Sequence, residues 1–180
     1  RIRLAISTTC WPMVWPSAAP VLLSLETGSS VLELPVRPVR SDEPAPVLFA
    51  EAEHAPTART RVITPPSSSR QVERDIATGR STIRLVEDDG VYVIEALDLE
   101  VGDGQKCVYS ILDHDPLSAT AVWTWHSTRR RKGYDIEIRS TTMVAASIRE
   151  FLVDTELVAL ESGKEVFRRS WNDKLPREGV

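Results

Sequence analysis

The sequence predicts an all-β chain built from antiparallel strands, and three observations carry that prediction. First, apolar and polar residues alternate through most of the second half, as they do along a strand whose side chains point to opposite faces in turn. Second, turn residues rich in Gly and Asp separate the alternating runs at short intervals. Third, no long stretch repeats its apolar residues at helical spacing; Ala145 to Phe151 has room for a single turn. Hairpin-joined strands at this spacing predict an antiparallel β-sandwich or a strongly curved sheet.

The elements follow in order. Arg1 to Ser7 sets Ile2, Leu4 and Ile6 against Arg1, Arg3 and Ala5, which predicts a strand. The next segment, Trp11-Pro12-Met13-Val14-Trp15-Pro16, is apolar but carries two prolines. Proline lacks the N–H that a central strand donates, so this is a loop or an edge. Trp11 and Trp15 must therefore either cover the domain's own core or meet another domain, and both are candidate interface residues. Val21 to Leu25 and Val31 to Val36 read as a hairpin closed by Thr27-Gly28-Ser29-Ser30.

From Pro38 the composition shifts. Six prolines between Pro38 and Pro66 lie among Ser, Asp, Glu and Ala, which favours extended backbone. The predicted organisation is a first β segment over residues 1–40, a proline-rich linker over 41–66 and an antiparallel β domain over 67–180. Within that domain, turns are expected at Thr78-Gly79, at Asp88-Asp89-Gly90, at Gly102-Asp103-Gly104 and at Asp113-His114-Asp115-Pro116.

The clearest stretch runs from Leu117 to Trp171 and predicts a four-stranded meander. Leu117, Ala119, Ala121, Trp123 and Trp125 share one face of its first strand. Tyr134, Ile136 and Ile138 alternate with Asp135, Glu137 and Arg139 in its second. Phe151, Val153, Leu157 and Ala159 oppose Glu150, Asp154 and Glu156 in its third, and Phe167 and Trp171 share a parity in its fourth. Arg131-Lys132-Gly133 and Ser162-Gly163-Lys164 supply the turns.

The chain's 180 residues carry 42% hydrophobic and 27% charged side chains with a net charge of -4. This is one domain in size, two at most, and is long enough to bury a core without staples. A mildly acidic chain lacks the concentrated Lys and Arg that phosphate backbones require, so no nucleic-acid partner is expected. The basic run Arg129-Arg130-Arg131-Lys132 reads as a hairpin tip. No apolar run approaches the length of a membrane span, so no membrane partner is expected either. Cys10 and Cys107 read as two buried free thiols. The chain opens on Arg1 within a strand, which suggests a piece of something longer and leaves its compartment open.

Chemistry is sparse. There is no CxxC or HExxH and no His cluster near carboxylates, so neither a metal site nor a cofactor is expected. No Gly-x-Ser-x-Gly elbow occurs, and Gly28-Ser29-Ser30 reads as a turn. Asp113-His114-Asp115 is the most reactive-looking triplet, but neighbours in an extended chain alternate sides, so a turn role is favoured. His126 has no acid spaced to orient it, and His54 sits in the linker. No catalytic residue is assigned. Trp123 and Trp125, at i and i+2, with Tyr134 across the hairpin, form a candidate ligand platform, since aromatic rows on sheets take up sugars or bases. Core packing is the competing role for the same row.

Two sets of residues carry a family resemblance. Arg1-Ile2-Arg3-Leu4-Ala5-Ile6-Ser7, the Trp11 to Pro16 loop and Ser30-Val31-Leu32-Glu33-Leu34-Pro35-Val36-Arg37-Pro38 resemble the C-terminal, non-catalytic jelly-roll domain of the CocE/NonD hydrolases, of the Xaa-Pro dipeptidyl-peptidase (peptidase S15) group. Arg74-Asp75-Ile76-Ala77-Thr78-Gly79, Asp115-Pro116-Leu117-Ser118-Ala119 and Phe167-Arg168-Arg169-Ser170-Trp171 are similar to a C-terminal extension in one branch of that family. The resemblance implies that 1–40 is the later part of a jelly-roll truncated at its N-terminal side, followed by the meander. It implies an upstream α/β-hydrolase domain as partner, holding the Ser-His-Asp triad for ester or peptide cleavage, while this region braces it and helps to wall the substrate site. Where the family often has Asp-Arg-Asn after the loop, this chain has Val14-Trp15-Pro16-Ser17, a departure from the dipeptidyl-peptidase pattern. A jelly-roll lacking its first strands would leave a sheet edge unpaired near residues 1–36, and self-association through that edge is expected.

Overall fold

The computed structural model describes residues 3–19, 21–36 and 48–178. These fall into two compact units: the described residues up to Leu22 together with those from Ala58 onward, and Leu23–Thr57. In the second unit the expected turn forms, with the Ser30 N–H and hydroxyl both donating to the Glu26 carbonyl. The flanking strands do not form: the described residues of 21–25 and 31–36 carry no ladder hydrogen bonds and lie exposed.

The first unit is a single antiparallel sheet, as the alternation predicts. Its strands are β1 (Thr60–Thr64), β2 (Ser67–Asp75), β3 (Arg80–Ile94), β4 (Leu99–Leu112), β5 (Asp115–Arg131), β6 (Tyr134–Ala146), β7 (Glu150–Glu161) and β8 (Lys164–Pro176). The order across the sheet is β1-β3-β4-β5-β6-β7-β8, with β2 also pairing β3. Strands β5 to β8 are the predicted meander, with hairpins at the predicted Lys132-Gly133 and Ser162-Gly163 turns; the third reversal, over Ser147, Ile148 and Arg149, falls where the sequence marks no turn. Ser162 and Gly163 both take positive φ, at 50° and 76°, which gives the turn a twist that matches its strands.

Four further expectations give way to the structure. Residues 3–7 have no strand partner among the described residues, because alternation supplies a face to bury but no neighbour to hydrogen-bond. Residues 60–64, placed in the linker, form β1. Asp88-Asp89-Gly90 does not turn the chain: β3 runs straight through it as a bulge, with Gly90 at φ 72°. Gly102-Asp103-Gly104 also lies inside a strand, and the reversal sits at the 3-10 turn Glu95–Leu97, with Asp98 in the left-handed region.

The bulge has a structural partner. Before it, β3 pairs with β2; after it, β3 pairs with β1. Strands β1 and β2 are thus one edge broken at Pro65-Pro66, where proline has no N–H to offer β3. The kink of the edge and the kink of β3 coincide, and a Cβ on Gly90 would lie 2.2 Å from the Thr64 carbonyl oxygen.

Directly opposed residues in an antiparallel ladder share a face. The registers therefore place Leu85, Cys107, Trp123, Thr142, Thr155 and Trp171 in one row of the first face, with Ile83, Tyr109, Ala121, Val144, Val153 and Asp173 in the next. The opposite face carries the polar row Lys106, Thr124, Thr141 and Glu156 beside the apolar row Val108, Val122 and Met143. Ala119 and Ala121 are completely buried, and both belong to the first face.

Candidate functional site

The Trp-Pro loop packs on this face, against Tyr109 and Phe151. The Val14 N–H donates to the Cys10 carbonyl at 2.9 Å, closing a tight turn whose Trp11-Pro12 peptide is cis. The turn brings Trp11 and Trp15 together edge to face, with centroids 4.9 Å apart. Trp11 then meets Tyr109 of β4 at 6.1 Å, Trp15 meets Phe151 of β7 at 5.8 Å, and Tyr109 meets Trp123 of β5 at 5.7 Å. Each pair is T-shaped, the geometry in which a positive ring edge meets a negative ring face. The methyl side chain of Ala121, between Tyr109 and Val144 in the register, leaves height above the sheet for these rings.

Arg177 locks the loop from the far side. Its guanidinium lies 5.0 Å from the centre of the Phe151 ring and donates to the carbonyls of Pro16 at 2.6 Å and Ser147 at 3.0 Å. Trp15 Nε1 and Arg177 Nε are buried here without a protein partner. Trp11 and Trp15, the candidate interface residues, thus pack on the chain's own sheet.

The candidate platform is not assembled. Trp123 is engaged by Tyr109 beneath the loop. Trp125, next on the same face, is 41% exposed. Tyr134 is opposite Arg131, six residues along β5 from Trp125, or roughly 20 Å at strand rise, and it stacks with the Arg131 guanidinium at 5.7 Å. Alternation gives the face correctly; the Lys132-Gly133 turn sets the register and puts Tyr134 at the hairpin end. Phe167 is 48% exposed on the same face as Trp125, with the half-buried Ile138, Leu157 and Ala159 between the two positions.

Several titratable groups are committed to local structure. Asp113 pairs with Arg74 across the β2–β3 turn, Asp115 accepts from the Leu117 N–H, and His114 stands exposed between them at φ 61°. His126 lies over Gly104, where a Cβ would come within 2.5 Å of the imidazole Cε1. No carboxylate hydrogen-bonds to either imidazole among the described residues. His54 is exposed, its Nδ1 3.2 Å from the Ala52 carbonyl. Half of the basic run is paired: Arg129 with Asp103, and Arg130 with Glu100 and Asp135.

Asp103 and Arg129 form the best-made pair, two hydrogen bonds of 3.0 Å each. Partial burial pushes the Asp103 carboxyl up, but hydrogen bonds from Arg129 and Ser127 outweigh that and hold it below the usual aspartate range. Burial raises the Cys107 thiol, as expected for a structural cysteine. Cys10, expected to be buried, is exposed; both thiols are free.

Several depressions mark the surface, two of them beside the residues described above. A cleft of about 220 Å³ runs between Thr9, Pro16 and Val21 on one side and Ile111, His114 and Pro116 on the other. A more polar groove of about 340 Å³ surrounds Gly104 and is bordered by Asp88, Lys106, His126 and Arg139. No group of His, Cys, Asp and Glu among the described residues is arranged to hold a metal ion, and no described helix is long and apolar enough to cross a membrane. Sequence reasoning missed Tyr109, Arg177 and the Asp103–Arg129 pair, since each acquires its role from a residue distant in the chain.

No family model, no curated protein and no solved structure matches this chain.

Proposed function

We propose that this chain is a non-catalytic β module from the C-terminal side of a serine hydrolase of the CocE/NonD type, bracing an upstream α/β-hydrolase domain and shaping its substrate site. The observation that carries this reading is the division of the sheet's apolar face. The part holding Tyr109, Ala121 and Phe151 is sealed by Trp11 and Trp15, whereas the part holding Trp125 and Phe167 is exposed. An apolar surface of this kind on a chain with no poised nucleophile and base among its described residues favours packing against a neighbour over chemistry.

The coding sequence upstream of Arg1 tests the proposal. A continuous frame encoding a Gly-x-Ser-x-Gly elbow and its His and Asp partners is expected. In that longer chain, Trp125→Glu should loosen the docking of the two domains, read as separate thermal transitions where the parent shows one. An upstream frame without a hydrolase domain would refute the reading. Sugar or apolar-ligand binding by a stand-alone module draws no comparable support, because Tyr134 lies at the far hairpin end and Trp123 is engaged by Tyr109.

A further inference from the structure

The two edges of the sheet differ. The β1/β2 edge is broken by Pro65-Pro66 and kinked by the bulge, both of which hinder pairing with another strand. The β8 edge is not. Among the described strands β8 pairs only with β7, and its register from Phe167 to Leu175 is unbroken. Nearly every residue along it is exposed.

We infer that β8 is a self-pairing edge, joining a second copy of this chain antiparallel about a twofold axis through Trp171. That axis sets residues equidistant from Trp171 opposite each other. On the apolar face, Trp171 then meets Trp171, Arg169 meets Asp173 twice, and Phe167 meets Leu175 twice. Every pair on that face is aromatic, opposite in charge or apolar, the combinations that stabilise cross-strand neighbours. On the opposite face, Ser170 meets Asn172. Arg168 meets Lys174, but the Arg168 charge is already met by Glu156 at 2.5 Å and Glu165 at 2.8 Å.

Neighbouring registers that keep the faces continuous are worse. Moving the axis to Ser170 sets Phe167 against Asp173; moving it to Arg169 sets two arginines together; moving it to Asn172 sets Trp171 against Asp173 and Arg169 against Leu175. In the isolated chain, Arg169 lies over the Trp171 ring at 4.9 Å, and no ion pair engages Asp173 among the described residues. The pairing supplies that partner and gives the closed, isologous contact of a twofold dimer.

Sedimentation velocity over a concentration series tests this. The chain should pass from monomer to dimer, with a dissociation constant on the order of tens of micromolar, as suits a small edge interface. Asp173→Arg places like charges opposite at two points and should weaken the dimer about tenfold, and adding Arg169→Asp should restore it to within about threefold. A chain that stays monomeric, or a dimer indifferent to Asp173→Arg, overturns the inference. In a Cys10→Ser background, a mixture of Arg169→Cys and Asp173→Cys chains should cross-link, and Arg169→Cys alone should not; equal cross-linking overturns the register.

Discussion

Asp103 and Arg129 show how a single residue pair ties stability to pH. The folded carboxyl lies below the ordinary aspartate value, so its contribution is present above that value and lost as pH falls through the folded one. Charge-assisted hydrogen bonds are worth roughly 1.5–3 kcal/mol, and the partial exposure of Arg129 reduces this to about 1 kcal/mol. Asp103→Asn should therefore lose about that much in urea unfolding at neutral pH, with the gap closing below about pH 3.9. A gap that persists in acid would show that the loss is not electrostatic. Glycine gives a second contrast at this scale. Gly90 and Gly133 both have positive φ, but only Gly90 has backbone where a Cβ would go. Gly133→Ala should cost about 1 kcal/mol and Gly90→Ala about 3 kcal/mol or more, measured by chemical denaturation.

At the scale of elements, the Trp-Pro loop is fastened by aromatic contacts and Arg177, with little backbone pairing of its own. Trp15→Ala should cost about 2–3 kcal/mol, less than a fully buried tryptophan, and should open residues 8–19 to proteolysis while the far-ultraviolet signature of the sheet persists. Loss of the whole sheet signal would mean that the loop is integral to the fold. The strands themselves were legible where alternation and turn chemistry agreed, as from Leu117 to Trp171. They were not legible where one signal stood alone. Ile2, Leu4 and Ile6 alternate, yet the described residues there have no partner strand. Asp89-Gly90 has turn chemistry, yet positive φ serves a bulge as well as a turn. Thr60–Thr64 was hidden by the prolines beside it, which here kink an edge strand. Of the candidate site, the shared face of Trp123 and Trp125 followed from parity, but the distance to Tyr134 depends on register, which a turn two residues long decides.

For the whole molecule, the sheet is asymmetric in two senses: one face is apolar and half sealed, and one edge is broken while the other is continuous. The first asymmetry supports docking to a neighbouring domain, the second supports pairing of copies. Since Trp125 and Phe167 are exposed, Trp125→Glu with Phe167→Glu should change the stability of the isolated chain by no more than about 0.5 kcal/mol in chemical denaturation. A large loss would place these side chains in the chain's own core. If the sheet braces a neighbouring domain, as proposed above, it turns over no substrate of its own. Turnover of nitrophenyl esters and Xaa-Pro nitroanilides by the purified 180-residue chain measures that directly. The predicted result is a rate equal to that of buffer, unchanged by His114→Ala or His126→Ala; hydrolysis abolished by either substitution would contradict it.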